Sequence, residues 1–153
     1  NLAIQYSKLL KNKIPIIYSS SEITNVIGYR LKCQIQENAK QFAVCNLFPE
    51  LNHNEIESWT DKNLLFEKRF SFIFIYDSSD HIRIKKRIDI SINMLKSLNH
   101  EMILIESDKS SLVHRVLEMI ILCDWVSYYL SLLNKNNPTP VKLIEELKKK
   151  LNL

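Results

Sequence analysis

Short apolar runs rich in β-branched and aromatic residues recur at positions 14–18, 42–47, 70–76 and 102–105, the pattern of strands buried on both faces. Between them apolar residues return with helical spacing over 2–10, 24–38, 54–60, 82–98, 110–133 and 141–151. Strands that alternate with helices pair in parallel and are covered on both sides. The pattern therefore predicts an α/β fold, a three-layer αβα sandwich around a mostly parallel sheet of four to five strands. Residues 134–140 form the only real break, a polar turn ending in Pro138-Thr139-Pro140 that detaches a last amphipathic helix. With no internal repeat and no dividing linker, residues 1–153 read as one domain.

Composition narrows the chemistry. One glycine in 153 residues removes every glycine-rich phosphate loop, and with it the dinucleotide and P-loop readings. The net charge of +4 is too mild to imply nucleic acid. No uninterrupted apolar stretch reaches the ~18 residues of a membrane span, and no signal peptide opens the chain, so a soluble, cytoplasmic protein is expected. Cys33, Cys45 and Cys123 lack paired spacing and sit in apolar segments, which predicts reduced core thiols. His53, His81, His100 and His114 are scattered, so neither a metal nor another cofactor is expected. The chain starts at Asn1 in a segment that already reads as helix, as a piece of a longer protein would.

The loops after the strands hold most of the serine and aspartate. In open α/β sheets ligands bind at these carboxyl ends, so Ser19, Ser20 and Ser21, at a helix start where backbone N–H groups favour anions, form one candidate phosphate site. Helix capping explains the same residues, Ser110 and Ser111 included, without a ligand.

Three other residues break the local pattern. On helix 24–38, Arg30, Gln34 and Glu37 line one flank of the Ile27, Leu31, Ile35 stripe. They read either as a solvated edge or as a cleft rim with Glu37 as a proton-transfer base. Glu37 lies at the helix end, where the dipole disfavours negative charge. In the segment Pro49-Glu50-Leu51-Asn52-His53-Asn54-Glu55, Asn52 and Glu55 have capping-box spacing. That would put His53 at the first helical position, where the helix dipole favours a neutral imidazole able to give and take a proton. In the last helix Lys148 falls inside the arc of Val141, Ile144 and Leu147, so that it either snorkels or reaches an anion. Helix 110–133 is apolar around much of its circumference, which suggests a sheet on one side and another domain or subunit on the other. Asp124 interrupts its stripe and is expected to pair with a nearby hydroxyl or backbone group.

The blocks Tyr29 to Lys40 with Glu37-Asn38-Ala39-Lys40 at the end, Phe48-Pro49-Glu50-Leu51-Asn52-His53-Asn54-Glu55-Ile56, and Pro138-Thr139-Pro140-Val141 before Leu147-Lys148 resemble, in order and spacing, the second half of the bifunctional phosphoglucose/phosphomannose isomerases. The resemblance implies a sugar isomerase (SIS) domain of flavodoxin-like topology and aldose–ketose isomerisation of a hexose 6-phosphate through a cis-enediol. By the same resemblance Glu37 is the base between C2 and C1, and His53, donated across a homodimer, opens the ring. Lys148 assists at the ring oxygen, Thr139 helps admit both glucose and mannose epimers, and Arg30 is a further candidate substrate contact. The family's usual Asp-Pro-Thr-Pro reads Asn137-Pro138-Thr139-Pro140 here. Its phosphate-holding loop and enediolate arginine belong to a first SIS domain that this chain lacks, so catalysis would need that partner half. The alternative is a non-catalytic sugar-phosphate-binding module using Ser19, Ser20 and Ser21.

Overall fold

The computed structural model describes residues 1–59 and 69–151. Among these residues the α-helices and strands follow in the order α1 (Leu2–Leu10), β1 (Ile14–Ser20), α2 (Asn25–Asn38), β2 (Val44–Phe48), β3 (Phe70–Ile75), α3 (Ile82–Ser97), β4 (Met102–Ile105), α4 (Leu112–Leu133) and α5 (Lys142–Lys150). Among the described residues the sheet has four strands, all parallel, in the order β2-β1-β3-β4. The alternating αβ pattern thus gives the expected three-layer arrangement.

Strand alternation sorts the core into two chemistries. Ile17, Ile73, Ile75, Ile103 and Ile105 point to one face and pack against Leu10 of α1, Ile27, Leu31 and Ile35 of α2, and Met119, Cys123, Val126 and Leu130 of α4. Ile16, Tyr18, Phe72 and Phe74 point to the other face, where they meet Ile84, Ile88 and Leu95 of α3 together with Phe48, Leu51 and Trp59. The aliphatic side lets three helices lie close. Gly28 makes this possible on α2: a Cβ there would stand 2.7 Å from Ser19 Oγ and 3.2 Å from Cys45 Sγ, so the single glycine sits where α2 lies flush on the sheet. Burial pushes the Cys123 thiol up to about 12, in keeping with an inert core thiol.

One expected helix does not form. In place of a helix over 54–60 there are two 3-10 turns, Glu50–His53 and Glu55–Trp59, with residue 60 outside the described residues. Tertiary contacts override the capping pattern. The Asn52 amide donates to Ser91 Oγ at 3.0 Å instead of capping. The Glu55 carboxylate accepts from Tyr18 Oη at 2.8 Å and from the Asn46 amide. Trp59 Nε1 donates to Tyr18 Oη at 2.9 Å, its ring set edge-on to Phe72. Two anchors four residues apart, both bound to Tyr18, fix the segment against the aromatic face.

Counting uninterrupted apolar residues also misses a property of α4, which is long and apolar enough by length and composition to cross a membrane, with a mean hydropathy of 1.6. Its inner face nevertheless belongs to the aliphatic core. Its outer face leaves Val113, Leu117, Ile121 and Trp125 about half exposed or more.

Candidate active site

Glu37 lies in the last turn of α2, exposed, at the amino end of the sheet. A set of side-chain bonds gathers four chain segments around this helix end. Asn38 Nδ2 donates to Ser127 Oγ at 3.0 Å, and Asn136 Nδ2 donates to the Ala39 carbonyl at 2.7 Å. Asn134 Nδ2 donates to Gln41 Oε1 at 2.8 Å, while Gln41 Nε2 donates to the carbonyls of Leu10 and Lys13. These bonds satisfy carbonyls that the ends of α1 and α2 leave open. Beside them opens a cavity of about 550 Å³ lined by Gln36, Glu37, Lys40, Pro140, Val141 and Ile144, among others. The candidate base and the segment beyond Thr139 therefore share one cleft.

Thr139 is exposed, and its N–H donates to Asn137 Oδ1 at 3.0 Å. Asn137, where the resemblance implies an aspartate, keeps the oxygen this turn needs. α5 follows with no buried residue, Leu143 being 82% exposed. The expectation that Lys148 lies on a packing face is corrected: among the described residues nothing buries a face of α5, and Lys148 is exposed. It stands one helical turn beyond Ile144, on the same side as that cavity-lining residue.

His53 is not at the start of a helix. It is the last residue of the 3-10 turn Glu50–His53, exposed, after β2, so the helix-dipole argument for its neutral form lapses. Gln36 bonds the carbonyl of Ala43, at the start of β2, whereas His53 follows the end of that strand.

The Ser19, Ser20, Ser21 phosphate reading finds several of its donors already engaged within the chain. Ser19 and Ser20 are buried. Ser20 Oγ donates to Asp80 Oδ1 at 2.6 Å, Ser20 N to Thr24 Oγ1 at 2.9 Å, and Ser21 N to the Phe48 carbonyl. Arg30 is likewise committed: Nε and Nη2 donate to the two Asp124 oxygens at 3.1 and 3.0 Å. Asp124 thus pairs with a cation and not with the expected hydroxyl or backbone group, tying α2 to α4.

Sequence reasoning missed two features. The first is a buried ion pair between β3 and α4. Arg115 Nε and Nη2 donate to Asp77 at 2.7 and 2.9 Å, Nη2 also to Ser79 Oγ, and Nη1 to the carbonyls of Lys109 and Ser110. The hydrogen-bonded Arg115 guanidinium holds the Asp77 carboxyl below the usual carboxylate range. An arginine set among Val113, Val116 and Leu117 in the first turns of α4 was the available signal. The second is Lys40, directly after α2 at φ 53°; a polar residue next to the motif glutamate gave no cue to its backbone. A larger cavity, about 720 Å³ and lined in part by Asn1, Glu106, Glu118 and Trp125, lies at the other end of the sheet from Glu37.

Residues 1–151 match the family model of the bacterial phospho-glucose isomerase C-terminal SIS domain. A bifunctional phosphoglucose/phosphomannose isomerase of Caldicellulosiruptor bescii is 43% identical over 99% of this chain, which covers 44% of that relative. Its counterpart in Aquifex aeolicus is 36% identical over 90% of the chain and is covered to 42%. The chain thus spans less than half the length of these curated relatives. Among solved structures, a glucose-6-phosphate isomerase like protein from Thermus thermophilus superposes with a TM-score of 0.71 at 15% identity, covering 94% of this chain and 47% of that one. Tagatose-6-phosphate ketose/aldose isomerase from Escherichia coli gives 0.62 at 14% identity, with 87% and 40% covered. These two likenesses bear on the fold.

Proposed function

This chain belongs to the bacterial phospho-glucose isomerase C-terminal SIS domain family, and from that premise we propose that it is the second half of a two-domain isomerase. The enzyme would interconvert glucose 6-phosphate and mannose 6-phosphate with fructose 6-phosphate through a cis-enediol. The names of the relatives, bifunctional phosphoglucose/phosphomannose isomerases, support the substrates.

In this reading the Glu37 carboxylate takes the proton from C2 of the open aldose. The C2 electron pair forms the C1–C2 double bond, and the carbonyl oxygen gains a proton. Returning the proton to C1 while the C2 hydroxyl loses its own completes the ketose. Lys148 stabilises charge as it develops on oxygen, Thr139 faces C2, and His53 of a neighbouring copy opens the ring. Arg30, held by Asp124, has a structural part.

The observation that carries the reading is the 550 Å³ cleft that joins Glu37 to the Pro140–Ile144 segment. The placement of His53 beyond the far end of β2 favours its donation to a second copy over action in its own. The exposed outer face of α4 offers a surface for the preceding domain. The test is turnover of both aldose phosphates by the two-domain protein with and without Glu37→Gln. Loss of both activities in a folded variant supports the reading, and unchanged turnover removes Glu37 from the mechanism.

A further inference from the structure

Resting on the reading of Glu37 as the base, we propose that Lys40 is a positioning residue for it, a latch that holds the end of α2 against the segment carrying Thr139 and leading into α5.

Lys40 has φ 53°, in the left-handed region that glycine occupies by default just past a helix end. A lysine there is strained, and the surroundings must hold it. Its side chain supplies the reason: Nζ donates both to the Glu37 carbonyl and, at 2.8 Å, to the Pro140 carbonyl. An ammonium on the last helix carbonyls would answer the dipole alone. Reaching a carbonyl 100 residues away does something more. The Asn134 and Asn136 amides tie the loop to α2 upstream of Pro138, while Lys40 takes hold at Pro140, one residue before the Val141 carbonyl that opens α5. With no α5 side chain buried, the direction of that helix depends on this anchor. The latch therefore sets how far Thr139 and Lys148 stand from the Glu37 carboxylate, without touching substrate itself.

The experiment compares Lys40→Gly, Lys40→Met and Lys40→Arg with Glu37→Gln in the two-domain protein. Lys40→Gly suits the backbone, so its melting temperature equals or exceeds that of the parent. Its kcat nevertheless falls about tenfold to hundredfold, as misplaced reacting groups do, while KM changes less than about twofold. The ratio of mannose to glucose phosphate turnover shifts with it, and Lys40→Arg restores most of kcat. Hydrogen exchange in the same variants reads the latch without reference to the reaction, as faster exchange over residues 142–145. A merely structural lysine would lose nothing on replacement by glycine. Full kcat on both substrates in Lys40→Gly, or in Lys40→Met should the glycine variant not fold, overturns the proposal. So does an arginine variant no better than the methionine one, or unchanged exchange. Inactive Glu37→Gln beside fully active Lys40→Gly sinks the latch alone, whereas active Glu37→Gln sinks the reading it rests on.

Discussion

At the carboxyl end of the sheet all five N–H groups of Arg115 end on Asp77, Ser79, Lys109 and Ser110, and Ser20, Thr24 and Asp80 close on one another beneath them. At the amino end Glu37 lines an open cleft with Pro140, Val141 and Ile144, and Thr139 and Lys148, in the flanking segments, are exposed. Open α/β sheets ordinarily bind ligands at the carboxyl crevice. Here the part of that crevice between β1, β3 and α4 is closed by the chain's own side chains, while a cavity lined by Asn1, Glu106 and Glu118 stays open at the same end. In the proposed reading the reacting groups lie at the other end, on the side of Glu37 and the segment 140–144.

The comparison can be broken most sharply through Asp77. Asp77→Ala leaves the guanidinium of Arg115 without its carboxylate, and removing one partner of a buried pair costs about 3 kcal/mol, on the order of 10 °C of melting temperature for a chain of this length. Thermal melting of the isolated chain checks it. A loss of turnover in the two-domain protein beyond the folded fraction would assign the pair to the reaction. The acid side sharpens this: because Asp77 is held below the usual carboxylate range, its contribution is complete above about pH 4 and fades as pH falls through the lowered value. The gap in stability between parent and Asp77→Ala should therefore narrow below that pH.

Gly28→Ala comes next. Helix propensity favours alanine by about 1 kcal/mol, but a Cβ 2.7 Å from Ser19 Oγ overpacks the α2–β1 contact by about 1–3 kcal/mol, a net loss that calorimetry can resolve. Adding Ser19→Ala removes the closest atom and should recover most of it; no recovery would mean that the contact does not set the position of α2.

The smallest effect belongs to Arg30→Ala. An exposed pair with Asp124 contributes about 0.5 kcal/mol, so stability and KM for the sugar phosphates should barely move. A KM raised severalfold would restore Arg30 as a substrate contact.

The layers of the fold were legible because they follow from local pattern: the runs at 14–18 and 102–105 are continuously apolar, as strands covered on both faces are, and the helices on either side carry a 3.6-residue repeat. The segment after β2 was not, since Glu55 and Trp59 answer to Tyr18, a residue 37 positions or more away, and spacing rules see only neighbours. The site divided the same way. Glu37 was marked by its place against the helix dipole, a local fact, and the structure puts it on a cleft. Lys148 was read as packed from a helical wheel, which cannot tell a face that has a partner from one that lacks it. Lys40 stayed hidden because its backbone angle and its reach to Pro140 leave no trace in the pattern.

The most direct measurement is deuterium wash-in. With the two-domain protein in heavy water and glucose 6-phosphate or mannose 6-phosphate as substrate, the parent should place deuterium at C1 of fructose 6-phosphate. Glu37→Gln, melting like the parent, should place about 100-fold less or lower still; label appearing at the parent's rate would contradict the assignment of proton transfer to the amino end of this sheet.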